Sequence, residues 1–128
     1  MIFFPKKVKI VDRYGTPDGT FVSPVRSNKP IPYEKRALPY LENKNAYHKY
    51  EVTRDFRELT EAIKNCNDRD LIDLINADAL RYGIDLNKLK TYKGEIAPAF
   101  GTITGGIQWQ LPLRIEYLIK LGSLNEIK

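Results

Sequence analysis

The chain has 128 residues, 42% hydrophobic and 29% charged, with a mean hydropathy of −0.43. That length suits one domain with its own core, and no run approaches the roughly 18 apolar residues of a membrane helix. Lys and Arg outnumber Asp and Glu by 21 to 16, a net charge of +5. Such a balance is compatible with nucleic acid, an anionic membrane surface or a phosphate-bearing ligand.

Taken in order, Met1 to Lys7 places apolar residues before basic ones. That is the reverse of a signal peptide, and no export by that route is expected. Lys6 to Arg13 alternates and predicts a strand, with Val8 and Ile10 on one side and Lys7, Lys9 and Val11 on the other. Asp12 to Gly19 carries the Gly, Pro and Asp of a turn, so Gly19 to Pro24 should return as the second strand of a hairpin. From Val25 to Asn45 there are three prolines and no sustained period, which predicts an irregular, extended segment. Ala46 to Thr53 alternates again, with His48, Tyr50 and Val52 on one face and Tyr47, Lys49 and Glu51 on the other.

The character changes after Arg54. Phe56, Leu59, Ala62 and Ile63 recur at helical spacing as far as Cys66. Asn67 or Asp68 can cap a second helix carrying Leu71, Ile72, Leu74, Ile75, Ala79 and Leu80, and Gly83 suits its end. This predicts a helical hairpin inserted between strands at about 54–92. Ile107 to Leu111 alternates strictly, with Gln108 and Gln110 opposite Ile107, Trp109 and Leu111. Pro112 sits where a helix can begin, Gly122 where it ends, and Ser123 to Ile127 can close the sheet. The expected fold is α+β, a small mixed or antiparallel sheet with an inserted helical hairpin and a C-terminal helix, in one domain over 1–128.

Cys66 is the single cysteine and His48 the single histidine. No internal disulfide is possible, the usual zinc constellations are excluded, and so is catalysis by two histidines. Cys66 reads as a small core residue. There is no Walker loop, Rossmann fingerprint or serine elbow. No block of five or six like charges exists, which argues against a nucleic-acid tail. The densest glycine run, Gly94 to Pro112, reads either as a ligand loop feeding a strand or as an ordinary hairpin turn. His48 alone reads equally as a structural, hydrogen-bonded histidine.

Four pieces occur in a fixed order. The first is Asp12-Arg13-Tyr14-Gly15 with Gly19-Thr20-Phe21-Val22-Ser23-Pro24. Then come Arg36-Ala37-Leu38-Pro39, Tyr47-His48-Lys49-Tyr50, and Gly105-Gly106-Ile107-Gln108-Trp109. Together they resemble the tuberculosis necrotizing toxin family, the C-terminal NAD glycohydrolase domains of bacterial polymorphic toxins. The family's motif residues fall on Arg13, Phe21, Arg36, His48 and Gln108. The family's motif asks for an aromatic at the position of Phe21, tyrosine in the namesake domain; the glycine loop has Thr104 in place of a third glycine, and 54–93 is longer than the namesake's connection.

The resemblance implies an NAD(P)+ glycohydrolase that cleaves the bond between nicotinamide and ribose. Arg13, Phe21, His48 and Gln108 are its catalytic candidates, and Arg13, Phe21, Arg36, Gly105, Gly106 and Gln108 its binding ones. NAD+ or NADP+ is the substrate, with no resident cofactor and no metal. A cognate immunity protein is the implied partner. A monomer is expected, without nucleic acid or membrane, delivered as an effector into a target-cell cytosol. Planar guanidinium groups can hold a pyrophosphate by paired hydrogen bonds, and an aromatic face can stack on the cationic nicotinamide. The alternatives are an ADP-ribosyltransferase toxin and, from another class, a basic nucleic-acid-binding module.

Overall fold

The computed structural model describes residues 1–25, 30–31, 47–95 and 106–127. Seven strands form one sheet: β1 (Ile2–Phe3), β2 (Ile10–Tyr14), β3 (Phe21–Pro24), β4 (Tyr47–Val52), β5 (Thr91–Glu95), β6 (Ile107–Gln110) and β7 (Leu124–Ile127). Their order is β1-β5-β6-β3-β2-β4-β7, and every pairing is antiparallel. Among the described residues three helices accompany the sheet: α1 (Leu59–Lys64), preceded by a 3-10 turn at Phe56–Glu58, then α2 (Arg69–Tyr82) and α3 (Ile115–Lys120). The fold class is α+β.

Strand β3 joins the two halves of the sheet. Phe21 and Val22 pair with β6, while Ser23 and Pro24 pair with β2. Proline brings no N–H to a ladder and is normally kept from central strands. Here the Val25 N–H takes the next bond, to the Ile10 carbonyl at 3.0 Å. Pro24 and Val11 therefore face each other at a site where antiparallel pairing needs no donor.

The alternation read in 47–52 and 107–110 is that of β4 and β6. Tyr50, Val52, Trp109, Val11, Val22 and Leu124 turn to one face and are buried. They pack with Phe56, Leu59, Leu71, Ile75, Ile115 and Leu118 into a single cluster. Side chains of this size each contribute about 1.5–3 kcal/mol when fully buried. Cys66 is partly buried against the same cluster.

The start of the chain differs from the expected strand. Val8 adopts φ 68°, a left-handed value that a β-branched residue rarely takes. Its N–H bonds the Val52 carbonyl at 2.8 Å, while the Val52 N–H bonds the Lys9 carbonyl at 2.8 Å. Both contacts converge on one residue of β4, a bulge that ends the regular ladder before Ile10. Val8 is consequently exposed and Val11, not Val8, enters the core.

The helices follow their signals closely. Asp68 caps α2, its carboxylate accepting the Leu71 N–H at 3.1 Å, and Gly83 ends it at φ 67°. Helix α2 buries Leu71, Ile75 and Asp78, whereas Leu74 and Leu80 face outward. Helix α3 starts at Ile115 rather than beside Pro112, and Gly122 follows at φ 77°. Strands β1 and β5 had no alternation to announce them. Gly94, assigned from sequence to the glycine loop, lies within β5.

Candidate functional site

The β2–β3 hairpin folds its own arginine back onto its turn. Arg13 Nε donates to the Thr16 carbonyl at 2.9 Å, and Nη1 donates to the Phe21 carbonyl at 3.0 Å. Two planar contacts to fixed carbonyls hold the guanidinium in one orientation. The group lies directly over Gly19: a Cβ there would stand 2.3 Å from Nη2 and 2.4 Å from Cζ. Within the turn, the Thr16 hydroxyl donates to the Asp18 carboxylate. That bond, aided less by the Arg13 charge, holds the Asp18 carboxyl below its ordinary pKa.

The turn is in turn fastened to α3. The Ile115 N–H donates to the Gly19 carbonyl at 3.0 Å, and the Glu116 N–H to the Pro17 carbonyl at 2.8 Å. These are first-turn amides that a helix cannot satisfy internally. Arg114, which precedes α3, reaches across to α2. Its Nε donates to Asp78 Oδ2 at 2.6 Å and its Nη2 to Oδ1 at 3.1 Å. The Asp78 hydrogen bonds raise the Arg114 pKa above its already high ordinary value, and the guanidinium lies 5.5 Å from the Tyr117 ring centre.

Arg13 opens onto a cleft of about 860 Å³, within the range of small-molecule and cofactor sites. One side is a cross-strand row: Phe21 of β3 pairs with Gln110 of β6, and Gln110 with Tyr92 of β5. Phe21 is 43% exposed and Tyr92 48%, and both line the cleft. The other side comes from the end of α2 and the following loop, with Tyr82, Asp85, Lys88 and Lys90. The Asp78–Arg114 pair also lines it.

Of the residues singled out from sequence, Arg13 and Phe21 line this cleft. Gln108 shares a face of β6 with Gln110, one row further from Phe21, opposite Gly94. It does not line the cleft, although Gly94 leaves open space beside it. Trp109 points the other way, 6% exposed, edge-on to Phe3 at 4.7 Å. Gly106 is buried immediately before β6. His48 is the cross-strand partner of Arg13, but its ring turns toward β7, where Nδ1 lies 2.9 Å from Glu126 Oε2. An ionised carboxylate only accepts, so Nδ1 is the donor in this pair. Arg36 and Gly105 lie outside the described residues.

Sequence reading missed Gln110, Tyr92, Asp78, Arg114, Lys88, Lys90 and Glu126. One had a signal. Asp78 falls three residues after Ile75 and seven after Leu71, on the apolar stripe of α2, and a carboxylate there calls for a cationic partner. Among the described residues no group of His, Cys, Asp and Glu is placed to hold a metal ion.

Comparison with known families decides the chain's kinship. Residues 6–70, half of the chain, match the model of the tuberculosis necrotizing toxin. The chain belongs to the tuberculosis necrotizing toxin family. In this family member the matched stretch contains Arg13, Phe21, Arg36 and His48, whereas Gln108 lies beyond it. Among solved structures, the tuberculosis necrotizing toxin complexed with its immunity factor is similar, at a TM-score of 0.59 and 19% identity. That similarity, which is one of fold, covers 91% of this chain and 47% of the other, so the chain spans about half the length of the protein it matches. No curated protein matches in sequence.

The hold on Arg13 can be tested apart from any activity. In Gly19→Ala the new methyl must displace the guanidinium, which sits at the far end of a flexible side chain, so the hairpin should survive. The Nε–H resonance of Arg13 is expected to move toward its solvent-exposed position in nitrogen-15 spectra of the variant. An unchanged resonance would show that Gly19 has no part in the arrangement.

Proposed function

We propose that the chain is an NAD(P)+ glycohydrolase toxin domain, hydrolysing the nicotinamide–ribose bond to nicotinamide and ADP-ribose and harming its target by NAD depletion. What carries the reading is a guanidinium held in place beside an exposed aromatic face, Arg13 and Phe21, in a chain of the tuberculosis necrotizing toxin family. The pyrophosphate suits Arg13, which keeps N–H groups beyond the two that bind carbonyls. The cationic nicotinamide ring suits the face of Phe21.

The chemistry asks little proton transfer of the protein. Water oxygen bonds to the ribose anomeric carbon as the carbon–nitrogen bond breaks. The bonding pair passes to the ring nitrogen, which becomes neutral, and the water releases a proton. Stabilising the oxocarbenium-like ribose and orienting the water are the main tasks. Gln108 is assigned to a ribose hydroxyl or to the water. His48, held by Glu126, serves as a site-organising group. A delivered effector and a cognate immunity protein follow by the same kinship, since the solved relative is complexed with its immunity factor.

Incubation with NAD+ and no other acceptor should release nicotinamide and ADP-ribose in equal amounts. Gln108→Ala is expected to abolish release while keeping the fold, and Gln110→Ala, one row nearer Phe21, to weaken substrate binding. Absence of release by the folded wild-type protein would end the glycohydrolase reading. Release that requires a macromolecular acceptor would make the chain a transferase.

A further inference from the structure

Charge around the cleft is unevenly engaged. Four cations, Arg13, Lys88, Lys90 and Arg114, and three carboxylates, Asp18, Asp78 and Asp85, line it. Every carboxylate has a partner. Asp18 accepts from the Thr16 hydroxyl, Asp78 from Arg114, and Asp85 from the Asn87 N–H at 2.9 Å. Arg13 is anchored on two carbonyls. Lys88 and Lys90, in contrast, form no ion pair among the described residues.

These two lysines are also held in place. They flank Leu89, which is 6% exposed and part of the core cluster. The backbone of the segment is therefore anchored while both ammonium groups remain exposed on the cleft side. Two exposed ammonium groups on an anchored segment, without an ion pair among the described residues, form a locus for an anion with more than one charge. Lysine suits such a group as a mobile point charge, whereas the Arg114 fork is already engaged by a carboxylate.

Their position along the cleft says which part of a ligand they would meet. Phe21 and Tyr92 are separated by the single strand β6, so the two exposed rings stand about 10 Å apart across the row. With nicotinamide on Phe21, the Tyr92 ring is the second aromatic face in the cleft open to the adenine, and Lys88 and Lys90 line the same cleft. We propose that Lys88 and Lys90 bind a phosphate monoester on the adenosine ribose, making the 2′-phosphorylated dinucleotide, NADP+, the preferred substrate. The proposal rests on the glycohydrolase reading of the same cleft. A phosphate monoester adds a charge of about −1.5 to −2 at pH 7, and NAD+ has only a neutral hydroxyl there.

The test is the double variant Lys88→Ala/Lys90→Ala. The ratio of kcat/KM for NADP+ to that for NAD+ should fall about tenfold, the effect of one charge-assisted hydrogen bond. The loss should appear in KM rather than kcat, because the phosphate lies away from the bond that breaks. Raising ionic strength should lower the wild-type ratio in the same direction. In parallel, calorimetry of 2′-phospho-ADP-ribose against ADP-ribose reads the same preference without turnover. Lys88→Glu/Lys90→Glu should reverse it. A ratio unchanged within twofold in both variants, at wild-type Tm, overturns the lysine assignment. Absence of nicotinamide release from either dinucleotide by the wild type instead overturns the glycohydrolase reading. Calorimetry then still decides the phosphate site by itself: equal binding of the two products by the wild type rejects it.

Discussion

Arg13→Ala is expected to lower kcat/KM for nicotinamide release by about 10²- to 10³-fold, the loss typical of a preorganised charged donor in a site. The guanidinium is fixed by the Thr16 and Phe21 carbonyls, so it needs no reorganisation when a pyrophosphate arrives. Stability should change much less. The two lost hydrogen bonds are exposed, each contributes about 1 kcal/mol net, and water can replace the donor. Differential scanning calorimetry should therefore show Tm lower by a few degrees only, alongside the collapse in turnover. Arg13→Lys should retain most of the catalytic defect, because an ammonium cannot donate to both carbonyls and still present a planar edge to phosphate. Near-wild-type turnover in Arg13→Ala would remove Arg13 from the site.

How far the sequence carries depends on whether a residue's environment is local. β4 and β6 were legible because one face of each is buried, which writes period-two alternation into 47–52 and 107–111. Asp68 and Gly83 were legible because caps act within one turn. β5 was not: in Thr91-Tyr92-Lys93-Gly94-Glu95 the buried residue is a threonine and an exposed one a tyrosine, inverting the pattern that marks a strand. The bulge at Val8 was equally silent, since nothing in a valine signals a left-handed conformation.

The candidate site divides in the same way. Arg13 and Phe21 belong to one hairpin, so their motif spacing carries them to the same place. Gln110 and Tyr92 reach Phe21 only through the β3-β6-β5 register, and Lys88 and Lys90 only through the path of the chain after α2. Such neighbours are long-range products of folding. The end of α2 and the loop after it supply one wall of the cleft.

That wall depends on Asp78, and Asp78→Ala is expected to destabilise the protein by about 2–3 kcal/mol. Breaking a fully buried pair costs about 3–5 kcal/mol. The figure is reduced here because the Arg114 side chain keeps 27% of its surface exposed and Asp78 11%, so water partly rescues the orphaned guanidinium. Glu116, 4.0 Å from Arg114 Nη1, is too distant to replace a bidentate partner. The pair ties α2 to the residue preceding α3, and the first amides of α3 hold the carbonyls of Pro17 and Gly19. Loosening it should therefore reach the turn on which Arg13 rests, weakening substrate binding beyond the fraction unfolded. Urea unfolding gives the stability term. A cycle with Arg114→Ala should show coupling of about 0.5–3 kcal/mol, as for residues in direct contact. Asp78→Asn, which keeps one acceptor, should lie between the alanine variant and the wild type. A cost below about 0.5 kcal/mol for Asp78→Ala would put the pair with ordinary surface ion pairs, and the link from α2 through α3 to Arg13 would have to be abandoned.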